Sequence, residues 1–297
     1  MGIKVSGLFF LLCLPFQLVI AESLKSLVVP EKYKQGIIWK IDLADKEPSY
    51  LMGTMHVDDP GVWKLFEQAQ KHFDHASTVC TEVKMDFETM GAELQAMFFN
   101  DGRTLKSVMS DNQLYDEVIQ AAVKHGLPEA SVRHMKPFTL AFMLSMPIST
   151  GEVLDSRIFT DAIRQGKQVC GLETIDEHSA VFQAFDMSAQ LKILKSTVSR
   201  LDEVSRIYPE MLEAYLNRDL EDIVRLANES MSMDEAEIEK TFYQRFLIDR
   251  NIKMVERMEP LISKGRSFFA VGAMHLTGKA GILRLLEERG YKISVVY

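Results

Sequence analysis

The chain has 297 residues, of which 47% are hydrophobic and 26% charged, and it carries a formal charge of −8. These proportions suit a globular protein with one large core, and the acidic excess argues against nucleic acid as a partner. Only 3 cysteines are present, one of them in the N-terminal apolar stretch, which excludes a four-cysteine zinc site in the mature protein.

Residues 1–21 hold one basic residue, Lys4, followed by an apolar stretch from Val5 to Ile20 that ends in Val19-Ile20-Ala21. This reads as a cleaved secretory signal. As a membrane span the stretch is short, and Pro15 and Gln17 interrupt it. The mature chain is expected to begin at Glu22, and loss of the single Lys4 charge takes −8 to −9. It is expected to be periplasmic or secreted, to have no mature transmembrane segment, and to form a single domain over 22–297.

Residues 36–44 and 49–52 read as a hairpin around a polar turn with Lys46 and Pro48. The hairpin delivers Gly53-Thr54-Met55-His56. Asp58-Asp59-Pro60 then opens a helix whose apolar face is Val62, Leu65, Phe66, Ala69 and Phe73, and a strand follows over 78–83. The pattern is helical over 86–146, punctuated by Gly126 and Pro128. A second unit places a helix over 155–165, a stop at Gly166 and a strand over 167–172. Residues 176–263 are helix-rich, with turns near 217–219 and 231–234. The C-terminus returns to a strand over 267–271, Gly272-Ala273-Met274-His275, a helix over 279–289 and a strand over 291–296.

Alternating units of this kind predict an α/β (α+β) fold with a central, partly parallel sheet and a large helix-rich middle. Functional groups would gather outside the strands' C-terminal ends. The duplicated G-x-M-H carries the strongest functional signal. A glycine closing each strand is expected to let the backbone turn tightly, so that His56 and His275 face the same crevice. Glu82 and Glu173 stand at or near the ends of two Val-Cys-containing strands. Imidazoles with carboxylates form a donor set for a divalent metal such as Zn²⁺, Mn²⁺ or Co²⁺, whose bound water is a nucleophile near neutral pH. The remaining histidines, among them His72, His75, His125, His134 and His178, read as solvated. Cys80 and Cys170 read as buried free thiols in preference to a pair, because a disulfide between neighbouring parallel strands is geometrically awkward. H-E-x-x-H, G-x-S-x-G and G-x-G-x-x-G are all absent from the sequence.

Several segments together resemble the TraB/PrgY/GumN family, which includes the animal Tiki proteases. They are Leu51-Met52-Gly53-Thr54-Met55-His56-Val57, the strand-borne Glu82, Leu154-Asp155, Gly171-Leu172-Glu173-Thr174, Arg250-Asn251, and the run from Phe268 to Leu276 with Gly278 and Gly281. The resemblance implies a fold related to erythromycin esterases and haem-binding ChaN-like proteins, with His56, His275 and Glu82 at its centre. It also implies an exported, metal-dependent hydrolase of peptides or proteins, using Mn²⁺, Co²⁺ or Zn²⁺. In that reading the histidines are metal ligands and Glu82 is a third ligand or general base. Glu173 would give outer support and Arg250 would stabilise transition-state charge. A C-terminal anchor like that of Tiki is not expected. Two alternatives share the same residues: a non-catalytic binder of peptide or haem, and a metal-free esterase.

Overall fold

A computed structural model describes residues 28–147, 151–230 and 235–297. The predicted signal segment and the turn at 231–234 lie outside these residues. Among the described residues no helix is long and apolar enough to cross a membrane.

The strands are β1 (Ile38–Asp42), β2 (Ser49–Thr54), β3 (Thr78–Val83), β4 (Gln168–Glu173), β5 (Ser267–Gly272) and β6 (Lys292–Val295). They form one mixed sheet in the order β4-β3-β5-β2-β1-β6. The four strands from β4 to β2 run parallel, and β1 pairs antiparallel with both β2 and β6. The predicted hairpin is β1–β2. β2 and β5 sit in the interior of the order and are buried on both faces, as a parallel strand covered by helices must be.

The helix Pro60–His75 begins where the sequence says it should. Asp59 accepts a hydrogen bond from the Gly61 N–H at 2.7 Å, and Pro60 occupies a first-turn position where its missing donor costs nothing. Its buried face is Val62, Leu65, Phe66, Ala69 and Phe73, and Phe73 meets Phe268 of β5 edge-on at 5.5 Å. A second unit runs through the helix Leu154–Arg164 into β4. The long helix Asp249–Ile262 leads into β5. A separate apolar cluster, centred on Phe138, Phe185 and Phe246, belongs to the helix-rich middle. The candidate site lies between this cluster and the sheet.

Three expectations are corrected. The last helix spans Ile282–Glu288, not 279–289. The chain after β5 first makes a 3₁₀ turn, Ala273–His275, and at Gly281 it passes so close to itself that a Cβ there would lie 2.0 Å from the Thr277 carbonyl oxygen. Cys80 and Cys170 are joined in a disulfide. They are register partners on β3 and β4 with Cα atoms 4.5 Å apart, so the parallel register sets the two side chains abreast. Gly53 and Gly272 do not adopt positive φ, so turning is not their contribution. Their contribution is close approach. A Cβ on Gly53 would lie 2.6 Å from Leu276 Cδ1 and 3.2 Å from Ala273 Cα, and one on Gly272 would lie 3.2 Å from Glu82 Oε1.

Candidate active site at the strand ends

The two G-x-M-H segments lie on neighbouring parallel strands with a stagger of one residue: Gly53 pairs with Val271 and Thr54 with Gly272. The β3–β5 ladder stops earlier, at Cys80↔Phe269. Beyond that point the Glu82 side chain takes over the pairing, its Oε1 accepting the Gly272 N–H at 2.6 Å. A carboxylate thereby satisfies a backbone donor where the ladder no longer can.

Arg250 links the carboxylates. Its Nε donates to both oxygens of Glu173 at 3.0 Å, and its Nη2 donates to Glu173 Oε2 at 2.6 Å and Glu82 Oε2 at 2.5 Å. Burial, the largest single influence, would raise the Glu82 carboxyl, but Arg250, the two histidines and the Gly272 N–H together outweigh it and hold the group well below the carboxylate range. Burial likewise opposes the charge on Arg250, and Glu82 and Glu173 more than offset it. The helix carrying Arg250 follows a π-helical turn, Tyr243–Ile248, an irregularity that shifts side-chain phase and recurs at functional sites. Sequence periodicity gave no sign of it.

His275 is buried and donates Nδ1–H to Asn251 Oδ1 at 2.6 Å. Asn251 in turn donates from Nδ2 to the Ala280 carbonyl, which fixes the orientation of the amide and so the tautomer of the ring. The Nε2 lone pair is left facing Arg250 Nη1 at 3.3 Å and Glu82 Oε1 at 3.7 Å. Burial pushes this imidazole down to about 3.

His56 behaves oppositely. Its Nδ1 lies 2.6 Å from Asp155 Oδ2, and Thr54 donates to Asp155 Oδ1 at 2.6 Å. The Asp155 carboxylate, opposed by partial burial, raises His56 to about 9. The His56 side chain is 46% exposed at the cavity wall, whereas Asp155 is 3% exposed. Asp155 was not among the expected site residues. Its signal was present in the Leu154-Asp155 mark and in its apolar helix, where a buried carboxylate needs a partner. Asn251 was missed in the same way, beside Arg250.

His178 is corrected from solvated to site-lining. It lies in the cavity wall with Nδ1 2.9 Å from Glu93 Oε1, so it joins the helix Ile175–Phe182 to the helix Phe87–Ala96. His72 is also less free than expected, stacked on Tyr50 at 4.0 Å.

His56, His275, Glu82 and Arg250 line one cavity of about 410 Å³, and Glu173 stands behind Arg250. The fit to a metal ion is poor in this arrangement. Glu82 Oε2 and His275 Nε2 are turned onto a permanent cation, the Arg250 guanidinium, and Glu82 Oε1 is taken by the Gly272 N–H. Among the described residues no group of three or more His, Cys, Asp or Glu is arranged to hold a metal ion.

A mixed sheet that gathers polar side chains at the ends of its parallel strands defines an α/β protein with a crevice-type site. The model of the TraB/PrgY/gumN family matches residues 37–295, and the chain belongs to that family. It is similar to a protein named "Metalloprotease TIKI homolog" from Nematostella vectensis, at 21% identity over 90% of this chain and 68% of the relative. Two Danio rerio proteins, "Metalloprotease TIKI2" and "Metalloprotease TIKI1", are 23% and 22% identical, over 90% and 89% of this chain and 62% and 64% of their own lengths. The chain thus spans roughly two thirds of the length of these relatives. No solved structure matches.

Proposed function

We propose that this chain is an exported hydrolase that cleaves a peptide amide at the His56 wall of the cavity. The observation that carries the reading is the Asp155–His56 pair, with its second ring nitrogen left for water or substrate. Magnitudes decide which group moves the proton. Glu82 is held well below the carboxylate range and His275 near 3, so neither takes a proton readily, whereas His56 near 9 does. Neutral His56 accepts a proton from water at Nε2 as the water oxygen attacks the carbonyl carbon. Asp155 stabilises the imidazolium that forms, which then gives its proton to the leaving nitrogen as the carbon–nitrogen bond breaks. Arg250 keeps Glu82 ionised and, by binding both Glu82 and Glu173, fixes the two carboxylates behind the cavity wall.

A second reading, favoured by the names of the relatives, is a Mn²⁺, Co²⁺ or Zn²⁺ hydrolase with His56, His275 and Glu82 as donors. It requires Arg250 to withdraw from Glu82 and His275. Elemental analysis and peptidase assays on wild type, His56→Ala and His275→Ala, with and without chelator, separate the two. The first reading expects chelator-resistant activity lost in His56→Ala. A stoichiometric metal lost in both variants, with chelator-sensitive activity, would replace it with the second. No turnover of any peptide would leave neither.

Export rests on the 1–21 segment alone. N-terminal sequencing of the protein recovered outside the cytoplasm is expected to begin at Glu22, and an intact Met1 there would sink the cleaved-signal reading.

A further inference from the structure

Besides its polar groups, His178 and Glu93 among them, the cavity has a large apolar wall that includes Met55, Met97, Phe142, Met146, Met211 and Met274, and a second chamber of about 260 Å³ shares Phe142, Met146, Met211 and Met274 with it. Beyond that common wall the second chamber is lined by Phe138, Ile193, Val204 and Phe242. Apart from the hydroxyls of Ser196 and Ser230, its polar side chains are already engaged. Ser145 donates to the Ala141 carbonyl and Thr197 to the Ile193 carbonyl, while Arg200 is held by Glu203 and the Glu229 carbonyl.

A peptide backbone entering this space would leave its N–H and C=O groups without adequate partners, at a cost of kilocalories for each. A chain with no polar atoms meets no such penalty. Methionines, unbranched and polarizable, form a wall that adapts to such a chain and can part to admit it. We infer that the substrate is acylated: a long apolar acyl chain occupies the methionine-lined chamber while its carbonyl stands at His56. The position of the carbonyl rests on the hydrolase reading; the preference of the chamber does not. With each methylene close to a water in size, about 30 Å³, the first chamber holds on the order of ten such groups.

The test uses the full chain and two matched series, N-acylglycines and acyl esters of a chromogenic phenol, with acyl chains of graded length kept below micelle formation. Binding is measured calorimetrically on His56→Ala, which removes turnover, and kcat/KM on wild type. Affinity for His56→Ala is expected to tighten roughly fourfold per methylene until the chamber is full, then level off. Phe142→Trp, with its fold checked by thermal melting, is expected to move that plateau to shorter chains; if it does not fold, Met211→Phe serves instead. Affinity that ignores chain length, or an unmodified peptide of equal size that binds as tightly as the acyl compounds, overturns the inference. Length-dependent binding without turnover supports the chamber and refutes the placement of the acyl carbonyl at His56, and turnover indifferent to chain length refutes the chamber while leaving the hydrolase reading in place. The amide and ester series then decide which linkage is cleaved.

Discussion

Two histidines from one repeated motif have opposite proton affinities because their second neighbours differ. His275 is sealed in and hydrogen-bonded to a neutral amide, whereas His56 stands at the cavity wall against a buried carboxylate. A uniform pair of ligands is therefore a poor description of them. The contrast gives a prediction. If His56 is the base, kcat/KM for a peptide substrate should rise with pH through a limb near 9, the value to which Asp155 raises it. Asp155→Asn removes the charge and should bring the limb down towards 6.5, with a loss on the order of a hundredfold in rate at high pH. A wild-type limb near 6.5, or one that Asp155→Asn leaves in place, would remove His56 from the proton-transfer role.

At the scale of elements, the site depends on how closely two strand ends approach. β2 and β5 run side by side, and the turn after β5 packs over Gly53 with no space for a side chain. Gly53→Ala should therefore force Ala273 and Leu276 away and separate His56 from His275. Overpacking of this kind costs about 1–3 kcal/mol, to be read from denaturant midpoints, and activity should fall further than stability alone explains. An Ala variant with wild-type stability and rate would show that the contact is slack. Much of this frame was legible in the sequence. The Asp59-Pro60 start, the Val62–Phe73 face and the β3 strand follow from local chemistry that a short window contains. What could not be read from a window was long-range. The 90-residue separation of Cys80 and Cys170 hid their abreast register. The π-helical turn left no mark on apolar spacing, and the pairing of Asp155 and Asn251 with particular histidines becomes visible only when the fold brings their helices against the strand ends.

For the whole molecule, the two imidazoles set opposite limits on the pH range of stability. His275 stays neutral in the fold down to about 3, whereas in the unfolded chain it takes up a proton below about 6.5. Its contribution is therefore full above 6.5 and declines as pH falls, because the unfolded state binds the extra proton. Glu82, also depressed, adds to that decline below its ordinary carboxylate value. His56 has the other sign. Below 6.5 it is protonated in both states and its pairing with Asp155 contributes fully, and that contribution is lost as pH rises through about 9. Thermal stability should therefore peak near pH 6.5 and fall on both sides. Calorimetric scans should show His275→Gln flattening the acid side between 6.5 and 4.5, above the range where Glu82 takes up its proton. Asp155→Asn should flatten the alkaline side and leave the acid side largely unchanged. Because the half-exposed His56 is screened by solvent while His275 is sealed, the acid limb should be the steeper of the two. A melting temperature that is level from pH 5 to 9 would mean that neither ring is held in the environment described here.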